Sequence, residues 1–101
     1  MNLVNAIAKV RFSSAKPQRV QLHKGETLQA ELVCMEAGQQ LKVSRGAWTY
    51  YVVMGSATLT VNGESSEVPT GQLAALDPAE PHVLSNRTER RLICLAIAKA
   101  S

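Results

Sequence analysis

Aromatic side chains are scarce: one Trp, two Tyr and one Phe among 101 residues. Aliphatic groups must therefore fill most of any core. Charge of one sign is scarce as well. The net charge is only +3, too small to argue for nucleic acid as a partner. Arg87, Arg90 and Arg91 form the one basic cluster, and read as a solvated turn and strand start rather than a phosphate-binding patch. Long hydrophobic runs are absent. The longest, residues 92–98, falls far short of the roughly 20 residues that span a bilayer. With no signal-peptide pattern at the N-terminus, the expectation is a soluble, cytoplasmic protein without a membrane partner. Only two cysteines occur, Cys34 and Cys94, each inside an apolar segment. They read as buried free thiols, because a cysteine metal pair would need close spacing. The length allows one domain.

What is present reads mainly as β. Leu3, Ile7 and Val10 repeat at helical spacing, which predicts a short amphipathic helix capped by Asn2. Residues 13–17 form a linker, so the chain divides into an N-terminal helix and linker (1–17) and a β-domain (18–101). From Arg19 onward apolar residues alternate. Val20 and Leu22 alternate with polar neighbours, and Leu28, Ala30, Leu32 and Cys34 form one face of a longer strand. Leu41 and Val43 alternate with Lys42 and Ser44, and residues 48–54 are rich in β-branched and aromatic side chains. Asn62-Gly63 is a strong hairpin signal, since a type I′ turn needs positive φ at both central positions. Pro69-Thr70-Gly71 and Asp77-Pro78 break the chain before the last strands. The count is eight or nine short strands, the spacing of a sandwich or barrel. Residues 92–98 are apolar on both faces, so one face can line the barrel and the other needs cover. The helix or a second subunit would supply it, and a homodimer is the simplest expectation.

The stretch from Gly38 to Asn86 resembles the two motifs of the cupin superfamily. The first motif maps to GQQLKVSRGAWTYYVVMG, and the second to GQLAALDPAEPHVLSN, where Gly71, Pro78, His82 and Asn86 fit. The resemblance implies an all-β fold, the antiparallel cupin barrel (double-stranded β-helix or RmlC-like jelly roll). It also implies a metal held by three histidines and a carboxylate. Here the first-motif histidines map to Lys42 and Ser44, and the glutamate to Trp48. Only His82 remains. A protonated lysine repels cations and tryptophan cannot ligate, so no tightly bound metal or other cofactor is expected. Shifting the register by one would put Leu41 and Val43 at the histidine positions, no better as ligands.

Read with inward-pointing side chains, the remaining cavity would be lined by Lys42, Ser44, Trp48, Tyr50 and His82, among aliphatics such as Leu32 and Val52. A lysine beside a histidine favours a small anion such as a carboxylate. The plainer alternative has Lys42 snorkelling at the barrel mouth, His82 as a wall residue and Trp48 as core filling. Function classes left open are a metal-free small-ligand binder, a cupin enzyme, and an oligomeric scaffold with a vestigial cavity. The enzyme would use acid–base chemistry at Lys42 and His82, or be a metal-dependent oxygenase or isomerase with an atypical site.

Overall fold

A computed structural model describes residues 1–76 and 80–100; Asp77 and Pro78, read above as a loop and part of the second motif, lie outside the described residues. Among the described residues nine strands follow one 3₁₀ turn: β1 Gln18–Lys24, β2 Leu28–Met35, β3 Gln40–Val43, β4 Trp48–Met54, β5 Ser56–Val61, β6 Glu64–Pro69, β7 Leu73–Ala75, β8 His82–Ser85 and β9 Leu92–Lys99. They form two sheets, a five-stranded one in the order β1-β2-β9-β4-β7 and a four-stranded one in the order β3-β8-β5-β6. Every pairing is antiparallel. No helix among the described residues is long and apolar enough to cross a membrane.

The sheets enclose one core. The five-stranded sheet contributes Met35, Tyr50, Val52, Leu92 and Cys94, and the four-stranded sheet Val43, Ala57, Leu59 and Leu84. The predicted hairpin is present: Asn62 and Gly63 have φ of 52° and 79°, and β5 pairs with β6 across them. The outer face of the five-stranded sheet carries a second apolar cluster of Leu32, Cys34 and Ile93, over which Ala6, Val10 and Phe12 pack.

That second cluster corrects the reading of β2. Leu32 and Cys34 do not face the barrel interior; Val33 and Met35 do. Two apolar faces were available, and the longer apolar alternation belongs to the covered outer one. The N-terminal helix is also corrected. It shrinks to a single 3₁₀ turn, Ile7–Lys9. Its N-cap is Ala6, not Asn2, and no side chain caps it there; the preceding Asn5 accepts from the Ala8 amide through its Oδ1 at 3.2 Å. Nine residues cannot offset the cost of helix nucleation without burying a stripe, and Leu3 and Ile7 stay 86% and 70% exposed. Only Val10 of the expected stripe packs down.

Six connections pass from one sheet to the other, and two of these crossovers, β4 into β5 and β8 into β9, nearly touch. A β-carbon on Gly55 would lie 2.5 Å from the Arg91 carbonyl oxygen, and Gly55 has φ of 90°. Asn86, almost fully buried, pins the second crossover. Its Nδ2 donates to the carbonyls of Met35, Glu36 and Arg90, and its Oδ1 accepts from the Thr88 amide and hydroxyl. Gly55→Ala combines a disfavoured backbone conformation, roughly 1–3 kcal/mol, with a backbone clash. Urea denaturation is expected to show a loss of at least about 2 kcal/mol. Gly63→Ala, with positive φ but nothing within 4 Å of the added methyl, is expected to lose only about 1 kcal/mol. Equal losses would refute the close approach.

Candidate functional site

The five residues read as pocket-lining separate into two groups. Trp48, Tyr50 and His82 are buried, at 6%, 2% and 4% exposure. Lys42 and Ser44 are exposed, contrary to the expectation that they point inward. The reason is register. In β3 the inward residues are Leu41 and Val43, and Val43 pairs with His82 across the β3–β8 ladder. The one-residue alternative is therefore the one adopted, and a shift of one carries every side chain to the other face.

His82 is held at both ring nitrogens. Its Nδ1 lies 2.8 Å from the Glu80 carbonyl, which can only accept, so Nδ1 carries the proton of the neutral ring. Nε2 is then an acceptor, and the Tyr50 hydroxyl donates to it at 2.6 Å. Burial keeps Tyr50 protonated, lifting its phenol well above the ordinary 10.0. Arg19 opposes that shift, and Glu31 adds to it. Behind Tyr50, the Trp48 ring stacks at 6.2 Å between centroids and 14° between planes. Its indole N–H donates to the Arg45 carbonyl at 3.3 Å.

Sequence reasoning missed Arg19 and Glu31. They sit on the inner face of the five-stranded sheet, Arg19 opposite Val33 and Glu31 opposite Ala96. They form an ion pair at 2.6 Å, and the Arg19 guanidinium lies 5.5 Å from the Trp48 ring centroid. The alternation of Arg19 and Gln21 with Val20 and Leu22 was the available signal. It points the other way, because the apolar residues of β1 belong to the outer cluster.

Lys42, Ser44 and His82 nevertheless meet. With Thr60, Asn62 and Pro81 they line an open cleft of about 450 Å³ at one end of the four-stranded sheet. The metal implied by the resemblance does not fit here. The inward position opposite His82 is Val43, the nitrogen of His82 that faces the interior is occupied by a phenol, and no group of three or more His, Cys, Asp or Glu side chains among the described residues could hold an ion.

The cupin domain family matches residues 31–98. The chain belongs to the cupin family. Solved cupin-like structures superpose along nearly its whole length. The TT1209 protein of Thermus thermophilus is similar at a TM-score of 0.89 and 20% identity, covering 99% of this chain and 98% of that one. A conserved protein with a double-stranded β-helix domain from Klebsiella pneumoniae gives 0.87 and 20%, covering 98% and 90%. An RmlC-like cupin protein from Desulfovibrio desulfuricans gives 0.75 and 23%, covering 97% and 96%. Such identities speak to fold alone. No curated protein matches the chain at a significant level.

Within this cupin, Tyr50→Phe keeps the ring stack and removes one hydroxyl, leaving a buried histidine nitrogen unpartnered. Urea denaturation is expected to show a loss of about 1–3 kcal/mol; an unchanged midpoint would exclude the hydrogen bond. Alkaline pH tests burial. The Cys94 thiol is pushed up to about 12 by burial, with Cys34 adding to it. The unfolded chain releases that proton above about pH 9, while the folded chain holds it until about 12. Stability is therefore complete below pH 9 and falls as pH rises, by about 1.4 kcal/mol per unit for this thiol. Tyr50 adds to the fall above pH 10. A denaturation midpoint that stays flat from pH 8 to 11 would contradict this.

Proposed function

We propose that this cupin binds a small carboxylate-bearing molecule, without the family's metal, in the cleft lined by Lys42, Ser44 and His82. One observation carries the reading. The two ion pairs among the described residues are Arg19–Glu31 and Arg91–Glu36, and neither uses Lys42. Lys42 therefore presents an uncompensated cation to a cleft that also offers the Ser44 hydroxyl and the apolar walls of Val43, Val83 and Pro81. The lysine supplies attraction, the hydroxyl orientation, and the walls contact for an organic body. Trp48 and Tyr50 act from behind, fixing His82 as part of the wall. Acid–base catalysis at Lys42 and His82 draws no support from this arrangement, because both imidazole nitrogens are engaged.

An exposed lysine contributes modestly, so binding belongs near the millimolar range, where a Kd of 1 mM is about −4.1 kcal/mol. At ten times Kd, stabilisation is roughly 1.4 kcal/mol, a rise of several degrees in Tm. Small aliphatic and aromatic carboxylates are expected to give that rise in wild type and none in Lys42→Met, whose own stability stays unchanged. A screen without stabilisation, or one indifferent to Lys42→Met, would leave a vestigial cleft.

We also propose that the chain forms a homodimer through the outer face of the five-stranded sheet. Tyr51 and Leu73 are paired across β4 and β7 on that face and are 40% and 62% exposed. Leu3 and Ile7, on the segment that crosses the same sheet, are more exposed still. Light scattering at micromolar concentration is expected to give twice the 10.9 kDa chain mass, with Leu73→Asp shifting the equilibrium to monomer. A wild-type monomer mass would overturn it.

A further inference from the structure

A row of apolar side chains crosses the outer face of the five-stranded sheet, each opposite the next: Val20, Leu32, Leu95, Tyr51 and Leu73. The N-terminal segment covers one half of that row. Ala6, Val10 and Phe12 pack on the cluster of Leu32, Cys34 and Ile93, while Tyr51 and Leu73 stay exposed. The cover is held unevenly. Among the described residues, no backbone–backbone hydrogen bond joins residues 1–13 to the barrel; the two that the segment makes are internal to its turn, Lys9 to Ala6 and Val10 to Ile7. None of residues 1–13 is fully buried. At its start the Asn2 amide reaches the His23 ring only at 3.5 Å. At its end the contacts are firmer. The Arg91 guanidinium carbon lies 4.5 Å from the Phe12 ring centroid while its Nε donates to Glu36 at 3.2 Å, and Gln39 donates to the Ser13 carbonyl at 2.6 Å.

The barrel's side of this latch is rigid. The Glu36 amide donates to the Gln39 side chain, the Gln39 carbonyl accepts from the Asn86 amide, and the buried Asn86 donates to the Glu36 carbonyl. The segment's side is not. Stretches with few buried contacts and no backbone pairing open at free energies far below that of global unfolding. No strand pairing has to break for residues 1–13 to lift, because β1 and β2 pair without them. We infer that residues 1–13 form a detachable strap, latched at Phe12 by Arg91 and at Ser13 by Gln39. It lifts about the exposed residues 14–16 while the barrel stays folded, and so uncovers the other half of the apolar row. The strap thereby sets how much apolar face a second copy meets; that consequence rests on the proposed dimer, whereas the lifting itself does not.

The two free cysteines supply the test. Both are buried, but on opposite faces: Cys34 in the cluster under the strap, Cys94 in the interior. Native protein is pulsed with N-ethylmaleimide, and each site is followed by mass spectrometry. Cys34 is expected to be modified roughly tenfold or more faster than Cys94, and with little acceleration in low urea, because lifting a strap exposes little surface. Arg91→Gln is expected to raise the Cys34 rate by roughly three- to tenfold and Phe12→Ala by roughly tenfold or more, each with a smaller effect on Cys94. Repeating the series in Leu73→Asp keeps cover by a second copy from being read as the strap. Equal rates with equal urea dependence would overturn the inference, since Cys34 would then open only with the whole fold. So would a Cys34 as reactive in the native protein as in the urea-denatured chain, or one whose rate relative to Cys94 neither substitution changes.

Discussion

Strand β9 has no face it can give to water. Leu92, Cys94, Ala96 and Ala98 fill the interior, while Ile93 and Leu95 belong to the outer cluster. Hydrogen bonding to β2 on one side and β4 on the other satisfies its backbone, but both faces still have to be covered. The four-stranded sheet covers one and the N-terminal segment the other. The small residues Ala96 and Ala98 also leave room for the bulk of Tyr50 and Trp48, their partners across the β4 ladder. The aromatic stack, and through it the orientation of His82, rests on that central strand.

The interior is organised around a hydrogen bond instead of an ion. A histidine with one nitrogen fixed to a carbonyl has one lone pair to offer, and a phenol donor takes it as fully as a cation would. Burial favours this solution, since the neutral Tyr–His pair avoids the penalty of placing charge between two sheets. Charge is moved to the margins: Arg19 and Glu31 at the edge of the inner face, Lys42 on the outer face of β3, and the arginines at the far crossover.

The all-β class, the Asn62-Gly63 hairpin and the family were legible because turn chemistry and glycine positions are local properties. The inward placement of Trp48 and Tyr50 was legible too, since strand parity runs unbroken from Trp48 to Val52, before the register shift that precedes Met54. Parity failed where the chain had two apolar surfaces to choose between. Leu32 reads as cavity-lining on a face it shares with Cys34, yet both belong with Val20 and Leu22 to the outer cluster, over which the N-terminal segment packs. Lys42 and Ser44 failed for a related reason. Their assignment was carried over from motif positions, whereas the apolar alternation of Leu41 and Val43 correctly marked the buried face.

The margins of the two sheets carry a consequence for how the molecule avoids sticking to itself. Each terminal strand is a poor template for another chain. The outermost β7 has only three residues and β3 four. The third, β6, presents Glu64, Ser65, Ser66 and Glu67 before ending at Pro69. On β1 the register breaks between Gln21 and His23. Short length, like charges, proline and a bulge are the devices that blunt unpaired backbone. Growth by strand addition is thereby discouraged at all four borders, and the proposed dimer uses a broad face instead, where a two-fold contact would close after two copies rather than propagate.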